Sequence, residues 1–335
     1  MPYDRLRERL REGASPTFAT FPDGSVDHHC TVTTDGDALR TREAFGRAVL
    51  EGTRSAFDLR VESTEPGGQA VNVARQLHAL GGEVTCYGHL DTPSLDALPF
   101  ETVSMGEPAT VYAVDFADTD LMFVRRSSVA DWTLADLERV ADLPDVFGVD
   151  AVCCSNWDAI PGLDAAFHRL GGMALPRTPF VFDPGDIVGA GGEATDALLD
   201  AMAALQDTFD VVYSANRAEI RETAAALPDP PSGDAARLAA VREATGIDAA
   251  VLHAPDEALV ASAGGQVTVE NLRVERPERH AGGGDRFTGG LSYALARDWE
   301  WELALACGNA CASHYVATAA TATAPTLADR VGTRE

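Results

Sequence analysis

A chain of 335 residues with 45% hydrophobic content can bury one sizeable core, while its net charge of −26 leaves no basic face for nucleic acid. All 26 basic residues are arginine, and with 52 acids this bias points to a high-salt cytoplasm, where screening relieves the self-repulsion. No long apolar run or charged-then-apolar leader is present, so neither a membrane span nor export is expected; six cysteines without a C-x-x-C pair read as buried thiols.

In chain order, 3–12 reads as a short charged helix with Leu6 and Leu10 on one side. It forms an N-terminal extension, 1–18, packed on a body of 19–335. Residues 17–33 hold the turn Phe21-Pro22-Asp23-Gly24 and then an alternating strand, in which Asp27 can accept hydrogen bonds from sugar hydroxyls or simply shape the turn. Neighbouring His28 and His29 face opposite sides of that strand, which argues against a shared metal. A helix is expected over 39–50 and a strand over 57–61. The run Gly67-Gly68-Gln69-Ala70-Val71-Asn72 then turns on glycine into an amphipathic helix ending at Gly81-Gly82, with Asn72 in its first turn able to donate and accept to a polyol.

A strand over 84–90 completes a β-α-β pattern. Residues 110–116 and 121–124 form a hairpin about Asp118-Thr119-Asp120, outside the βα rhythm and lid-like. Arg125 and Arg126 follow it, placed to clamp an anionic substrate or to stand as solvated edge charges. Strands at 151–154, 180–183, 211–214 and 249–253 alternate with helices at 165–170, 194–205 and 235–245, and a hairpin spans 259–269. Such alternation predicts an α/β, doubly wound, mainly parallel sheet with helices on both faces and ligands at the carboxyl ends of its strands. Two candidates stand there. Asp183 precedes Pro184-Gly185, and Asn216 with Glu219 forms an N-x-x-E step whose side chains share a helical face and can order magnesium through water.

Near the end, Gly282-Gly283-Gly284-Asp285 opens a long apolar helical pattern. Glycine amides at a helix start make an anion-binding concavity. A carboxylate beside it would repel a resting anion, so Asp285 suits proton removal from a hydroxyl that attacks a phosphoryl group; a helix cap is the plainer alternative. Neither the dinucleotide fingerprint nor a Walker loop fits the run. In the helix over 301–315, Asn309 lies in a small-residue surface that could admit adenine or serve close packing.

With these pieces in order, the chain resembles the ribokinase-like (PfkB-type) carbohydrate kinases from about Gly24 onward. Gly67 to Ala74 matches the family's G-G-x-x-x-N-x-A signature, Asn216 to Glu219 its N-x-x-E motif, and Gly282 to Asp285 its G-A-G-D motif. The resemblance implies a ribokinase-like domain with a small β-rich lid around 28–64 and 108–126. It implies Asp285 as catalytic base, the Gly282, Gly283 and Gly284 amides as anion hole, acceptor contacts from Asp27, Gly67, Gly68 and Asn72, and Mg-ATP placed through Asn216 and Glu219. Asp183 and Asn309 complete the expected nucleotide side, and the lid is the candidate surface for a homodimer. Three departures stand out. Arg279-His280 replaces the family's Asp-Thr, so the resemblance does not extend to activation by a monovalent cation; His253 to Glu257 replaces the nucleotide loop, leaving the donor open; and Gln69 replaces a lysine common in ribokinases proper. Arg75, Arg125, Arg126 and Arg279 favour an anionic acceptor, a pentose phosphate such as ribose 1-phosphate being expected. A keto-deoxy sugar acid, a nucleoside, or a non-catalytic sugar or nucleotide sensor are the alternatives.

Overall fold

The computed structural model describes residues 1–52, 56–117, 119–279 and 281–332; Asp118 and His280, both named above, lie outside the described residues. Strands are β1 (Thr17–Phe21), β2 (Ser25–Thr34), β3 (Asp37–Ala38), β4 (Asp58–Gly67), β5 (Glu83–Gly88), β6 (Glu101–Ser104), β7 (Ala109–Asp115), β8 (Asp120–Arg125), β9 (Ala151–Ser155), β10 (Pro179–Asp183), β11 (Asp210–Asn216), β12 (Ala249–His253), β13 (Glu257–Ser262) and β14 (Gly265–Glu270). Helices are α1 (Pro2–Leu10), α2 (Arg42–Leu50), α3 (Gln69–Ala79), α4 (Leu134–Val140), α5 (Leu143–Phe147), α6 (Gly162–Gly171), α7 (Gly192–Leu205), α8 (Arg217–Ala225), α9 (Asp234–Thr245), α10 (Gly283–Leu295), α11 (Trp301–Thr318) and α12 (Ala324–Val331).

Short apolar strands such as β9, buried at all five positions, can be satisfied only inside a sheet covered on both faces. Among the described residues the main sheet runs β14-β13-β12-β11-β10-β9-β1-β5-β6, parallel from β6 to β12 and closed by the antiparallel hairpin β13–β14. One face packs under α4, α6, α7, α8 and α9, where Phe147, Phe167, Phe180 and Phe209 interlock, and the other under α1, α3, α10, α11 and α12. The expected doubly wound architecture is therefore the one present. Chain order reverses between β1 and β9, and the loops after both strands meet there: Asn156 Nδ2 donates to Asp23 Oδ2 at 2.9 Å. A topological switch point of this kind leaves a crevice at the strands' carboxyl ends.

The second sheet, β3-β2-β7-β8 with β4 paired to β2, overhangs that crevice. Register places Asp27 of β2 opposite Glu65 of β4 and Val111 of β7. Several elements differ from the sequence reading. The stretch 17–33, read as a turn leading into one strand, carries a strand on each side of Pro22-Asp23-Gly24, β1 in one sheet and β2 in the other. Strand β4 extends through Gly67 rather than ending at 61, because it pairs with β2 along its whole length. The edge strand β6 and the short α4, α5 and α12 escaped notice because four to eight residues carry too little periodicity. Helix α1 docks on α12 and α11, with Tyr3 Oη donating to the Glu270 carbonyl at 2.6 Å. All six cysteines are free and buried, and burial pushes Cys86 and Cys153 up to about 12.

Candidate active site

The crevice holds two cavities that share a wall. One, about 560 Å³, is lined by Asp183, Asn216, Glu219, His253, Asn309, Ser313 and the start of α10. The other, about 470 Å³, lies under the smaller sheet and is lined by Asp27, Glu65, Gly68, Asn72, Arg75 and Arg126 among others. Gln69, Arg279, Gly282 and Asp285 border both. Asp285 therefore stands where ligands in the two cavities would meet.

Local sequence explains its placement. Gly282 caps α10 at φ +84°, a left-handed conformation that a side chain would strain, and an added Cβ there would meet the Tyr315 ring at 3.0 Å. First-turn amides of α10 have no acceptor within the helix, so Gly283 and Gly284 present free N–H groups into the first cavity, reinforced by the dipole of a 13-residue helix. Asp285 is 8% exposed, and Asn72 Nδ2 donates to its Oδ2 at 2.8 Å. Burial, then the facing Asp183, pushes its carboxyl up to about 8, against the lowering effect of Arg286 and Asn72.

Around it the acids crowd. Asp183 accepts from Gly185 N at 3.0 Å and from Thr288 Oγ1 at 3.4 Å, yet burial holds its carboxyl above the usual range. Glu219 is also raised, first by burial and then by Asp183. Asn216 and Glu219 form a capping box on α8: Asn216 Oδ1 accepts from Ala218 N (2.8 Å) and Glu219 N (3.0 Å), while Glu219 Oε2 accepts from Asn216 N at 2.7 Å. The plain capping role and the expected metal role thus fall on the same pair, both of which line the first cavity. Asp183, Glu219 and Asp285 line one cavity and repel one another, though among the described residues no three acids stand close enough to hold a metal ion by themselves, so a cation there would be reached through water or a bound phosphate.

A pH dependence follows. The folded Asp285 carboxyl holds a proton up to about pH 8, whereas its unfolded reference is 3.8, so the native state binds more protons across that window and stability falls as pH rises through it. Magnesium should reverse the loss. Thermal melts are expected to show a Mg²⁺-dependent rise in Tm that grows from mildly acidic to alkaline buffer; an increment that shrinks with pH would refute cation binding at these acids.

The remaining site residues sort by face. Ser25 Oγ donates to Asp27 Oδ1 at 2.5 Å, and Gly67 leaves room for that carboxylate, since an added Cβ would overlap it. Asn309 is fully buried, with Nδ2 bonded to the Val269 carbonyl at 3.2 Å and Oδ1 without a partner. On β8, alternation turns Asp120, Met122 and Val124 to the cavity and Arg125 away from it, while Arg126, in the turn just after the strand, also lines it. Arg125 is exposed and lines neither cavity, which corrects its expected contact with substrate. Arg126 is already held by Asp158, at 3.6 Å from Oδ2. Arg279 pairs with Glu65 at 3.1 Å and donates to His29 Nε2 at 2.6 Å, which leaves His29 Nδ1–H for Asp115 at 3.2 Å.

Residues missed in the sequence are mostly those that act at long range. Asp23 caps α3 from 46 and 47 positions away, accepting from Gln69 N (3.0 Å) and Ala70 N (2.7 Å). Its spacing from Gly68 resembles any turn acid, so no local signal could mark it. His253, tilted against Phe287 with ring centroids 5.1 Å apart and Nε2 unpartnered, lines the first cavity, and burial pushes it down to about 4. Asp120 accepts from Ala281 N at 3.3 Å, tying β8 to the glycine turn.

Comparison with known proteins bears on this arrangement. The family model described as prokaryotic ketohexokinase matches residues 33–331. A ketohexokinase of Haloferax volcanii is 29% identical over 345 residues, spanning 94% of this chain and 91% of that one. Among solved structures, a ribokinase of Thermotoga maritima superposes with a TM-score of 0.68 at 14% identity, covering 95% of this chain and 99% of its own. A nucleoside kinase of Burkholderia thailandensis in complex with inosine gives 0.66 at 16%, covering 95% and 97%. At those identities the structural likeness is one of fold.

Proposed function

Because the chain belongs to the prokaryotic ketohexokinase family, and is thus a carbohydrate kinase of ribokinase-like fold, we propose that it phosphorylates a primary hydroxyl of a neutral ketohexose from Mg-ATP. The observation that carries this reading is Asp285 on the seam of the two cavities, beside free glycine amides. The acceptor occupies the cavity under the smaller sheet, held by Asp27, Asn72 and the Gly68 backbone, with Gln69 at its inner end. Nucleotide lies in the other cavity, its phosphates toward Gly283 and Gly284 and its base toward His253 and Asn309. Mg-ATP bound there would supply the phosphoryl group and a divalent charge beside Asp183, Glu219 and Asp285, with Asn216 and Glu219 placed to reach the metal through water. Asp285 removes the proton of the attacking hydroxyl. The amides of Gly283 and Gly284 hold the charge that develops on the transferred group, so positioning and electrostatics carry the rate. The smaller sheet overhangs the acceptor cavity and limits water's access to it.

The sugar-phosphate acceptor expected from the arginines gives way to a neutral one for a physical reason. Asp23, Asp27, Glu65, Asp120, Asp158 and Asp186 line the acceptor cavity besides Asp285, while Arg126 and Arg279 are spent on ion pairs, Arg75 donates to the Pro66 carbonyl at 3.2 Å, and Arg125 faces elsewhere. A phosphate in that field would be repelled, whereas hydroxyls can donate to the acids. ADP release from ATP should therefore be fastest with ketohexoses such as D-fructose. Higher kcat/KM for ribose 1-phosphate, a keto-deoxy sugar acid or a nucleoside would overturn the acceptor assignment, and release with none of them would favour the sensor.

We also take the smaller sheet as a homodimer surface. Leu59, Val61, Tyr112 and Phe123 expose large apolar side chains on β4, β7 and β8, more than a solvated sheet edge carries without a partner.

A further inference from the structure

Arg286 is 2% exposed, and among the described residues no carboxylate lies within ion-pairing distance of it. Burying a guanidinium costs several kcal/mol before its contacts are counted, so what it touches identifies its task. It follows Asp285 on α10, and successive helical side chains diverge by about 100°. Arg286 therefore does not reach the Asp285 carboxylate directly. Its guanidinium lies 4.5 Å from the Tyr315 ring centroid and reaches across to α3, where Nη1 donates to the Asn72 carbonyl at 2.5 Å and Nη2 to Asn72 Oδ1 at 3.3 Å. Asn72 in turn donates from Nδ2 to Asp285 Oδ2 at 2.8 Å.

We infer that Arg286 is a positioning residue: by claiming Asn72 Oδ1, it fixes the Asn72 amide with its NH₂ end toward the Asp285 carboxylate. An amide rotated the other way would set Oδ1 against a carboxylate oxygen and leave the guanidinium facing an N–H donor, two repulsive contacts in a buried site. The planar fork is essential, because two acceptors on one residue must be met at once and an ammonium group offers no such paired geometry. Asn72 also lines the acceptor cavity, so one guanidinium orders both the sugar contact and the base. The contact joins residues 214 positions apart, and nothing in the local pattern at 282–290 signals it.

The inference rests on Asp285 as the base, and the two fail in different ways: an active Asp285→Asn removes the base, whereas the Arg286 role is judged on its coupling to Asn72. Kinetics of ketohexose phosphorylation would be measured for Arg286→Met, Arg286→Lys, Asn72→Ala and the double variant Arg286→Met/Asn72→Ala, with melting curves to establish folding. Arg286→Met should lower kcat/KM for the acceptor by at least about tenfold, the worth of a charge-assisted hydrogen bond, with the ATP KM within about twofold. The double variant should be no worse than its weaker single parent by more than about twofold, since both changes break the same link.

Charge and geometry separate in Arg286→Lys, which keeps the cation but not the paired donors and should still show a raised acceptor KM. Should Arg286→Met fail to fold, the lysine variant decides. A wild-type acceptor KM in Arg286→Lys, or losses that multiply in the double variant, would overturn the assignment.

Discussion

Asp285→Asn is expected to lower kcat by at least about a hundredfold while the protein still folds and binds both ligands, since a positioned base contributes that much or more. The substitution keeps shape and volume, and an amide can still receive the Asn72 Nδ2–H at its oxygen. What it loses is the capacity to accept the hydroxyl proton. Stability should move the other way. Burial and Asp183 push this carboxyl up to about 8, so the ionised form destabilises the fold at alkaline pH, and a neutral amide removes that cost. Single-turnover rates and melts above pH 8 would test both halves. Turnover within about threefold of the parent would reject the base assignment; a lower Tm at alkaline pH would reject the stability half.

Asp23→Ala should produce the largest loss of stability, about 3 kcal/mol, with a fall in activity that follows from it. Asp23 is 3% exposed and accepts from Gln69 N, Ala70 N and Asn156 Nδ2. Alanine leaves three buried donors without acceptors at the point where the main sheet reverses. One unmet buried donor costs about 1–3 kcal/mol, and losing an N-cap up to about 2, offset in part because burial already raises the Asp23 carboxyl. Urea unfolding should show a lower midpoint at unchanged slope. A midpoint equal to the parent's would mean that water or a shifted backbone replaces the carboxylate.

Legibility in the sequence tracked distance along the chain. Asp285, the three glycines before it, Asn72 and the Asn216–Glu219 pair were readable because their chemistry sits within one turn of a helix start, and a helix start is written locally by glycine, asparagine and spacing. The parallel sheet was readable because β9 to β12 are continuous apolar runs. Asp23, Asn156 and Arg286 were not, because each works through partners 46 to 214 positions away. Arg125 and Arg126 were read together, because which of two adjacent residues meets the cavity is set by the other sheet. The acids around the acceptor were hidden by their background, since Glu65, Asp120 and Asp186 look like ordinary surface carboxylates in a chain that carries 52 acids.

The division between the two sheets has a consequence for how such proteins diversify. On the proposed reading, the groups beside the transferred phosphoryl group stand on α8, α10 and the main-sheet loops, whereas much of the acceptor wall, from Asp27 and His29 through Glu65, Val111 and Met122, hangs from the smaller sheet. Substitutions on the inner face of β2, β4, β7 or β8 can reshape what is phosphorylated while the phosphoryl-transfer apparatus stays as it is. Drift there is cheap to explore, because a failed variant loses an acceptor rather than the reaction. Lineages on this scaffold can therefore radiate across acceptors from a fixed chemical step, and exchanging the inner-face residues of these four strands is the shortest route to re-targeting this enzyme.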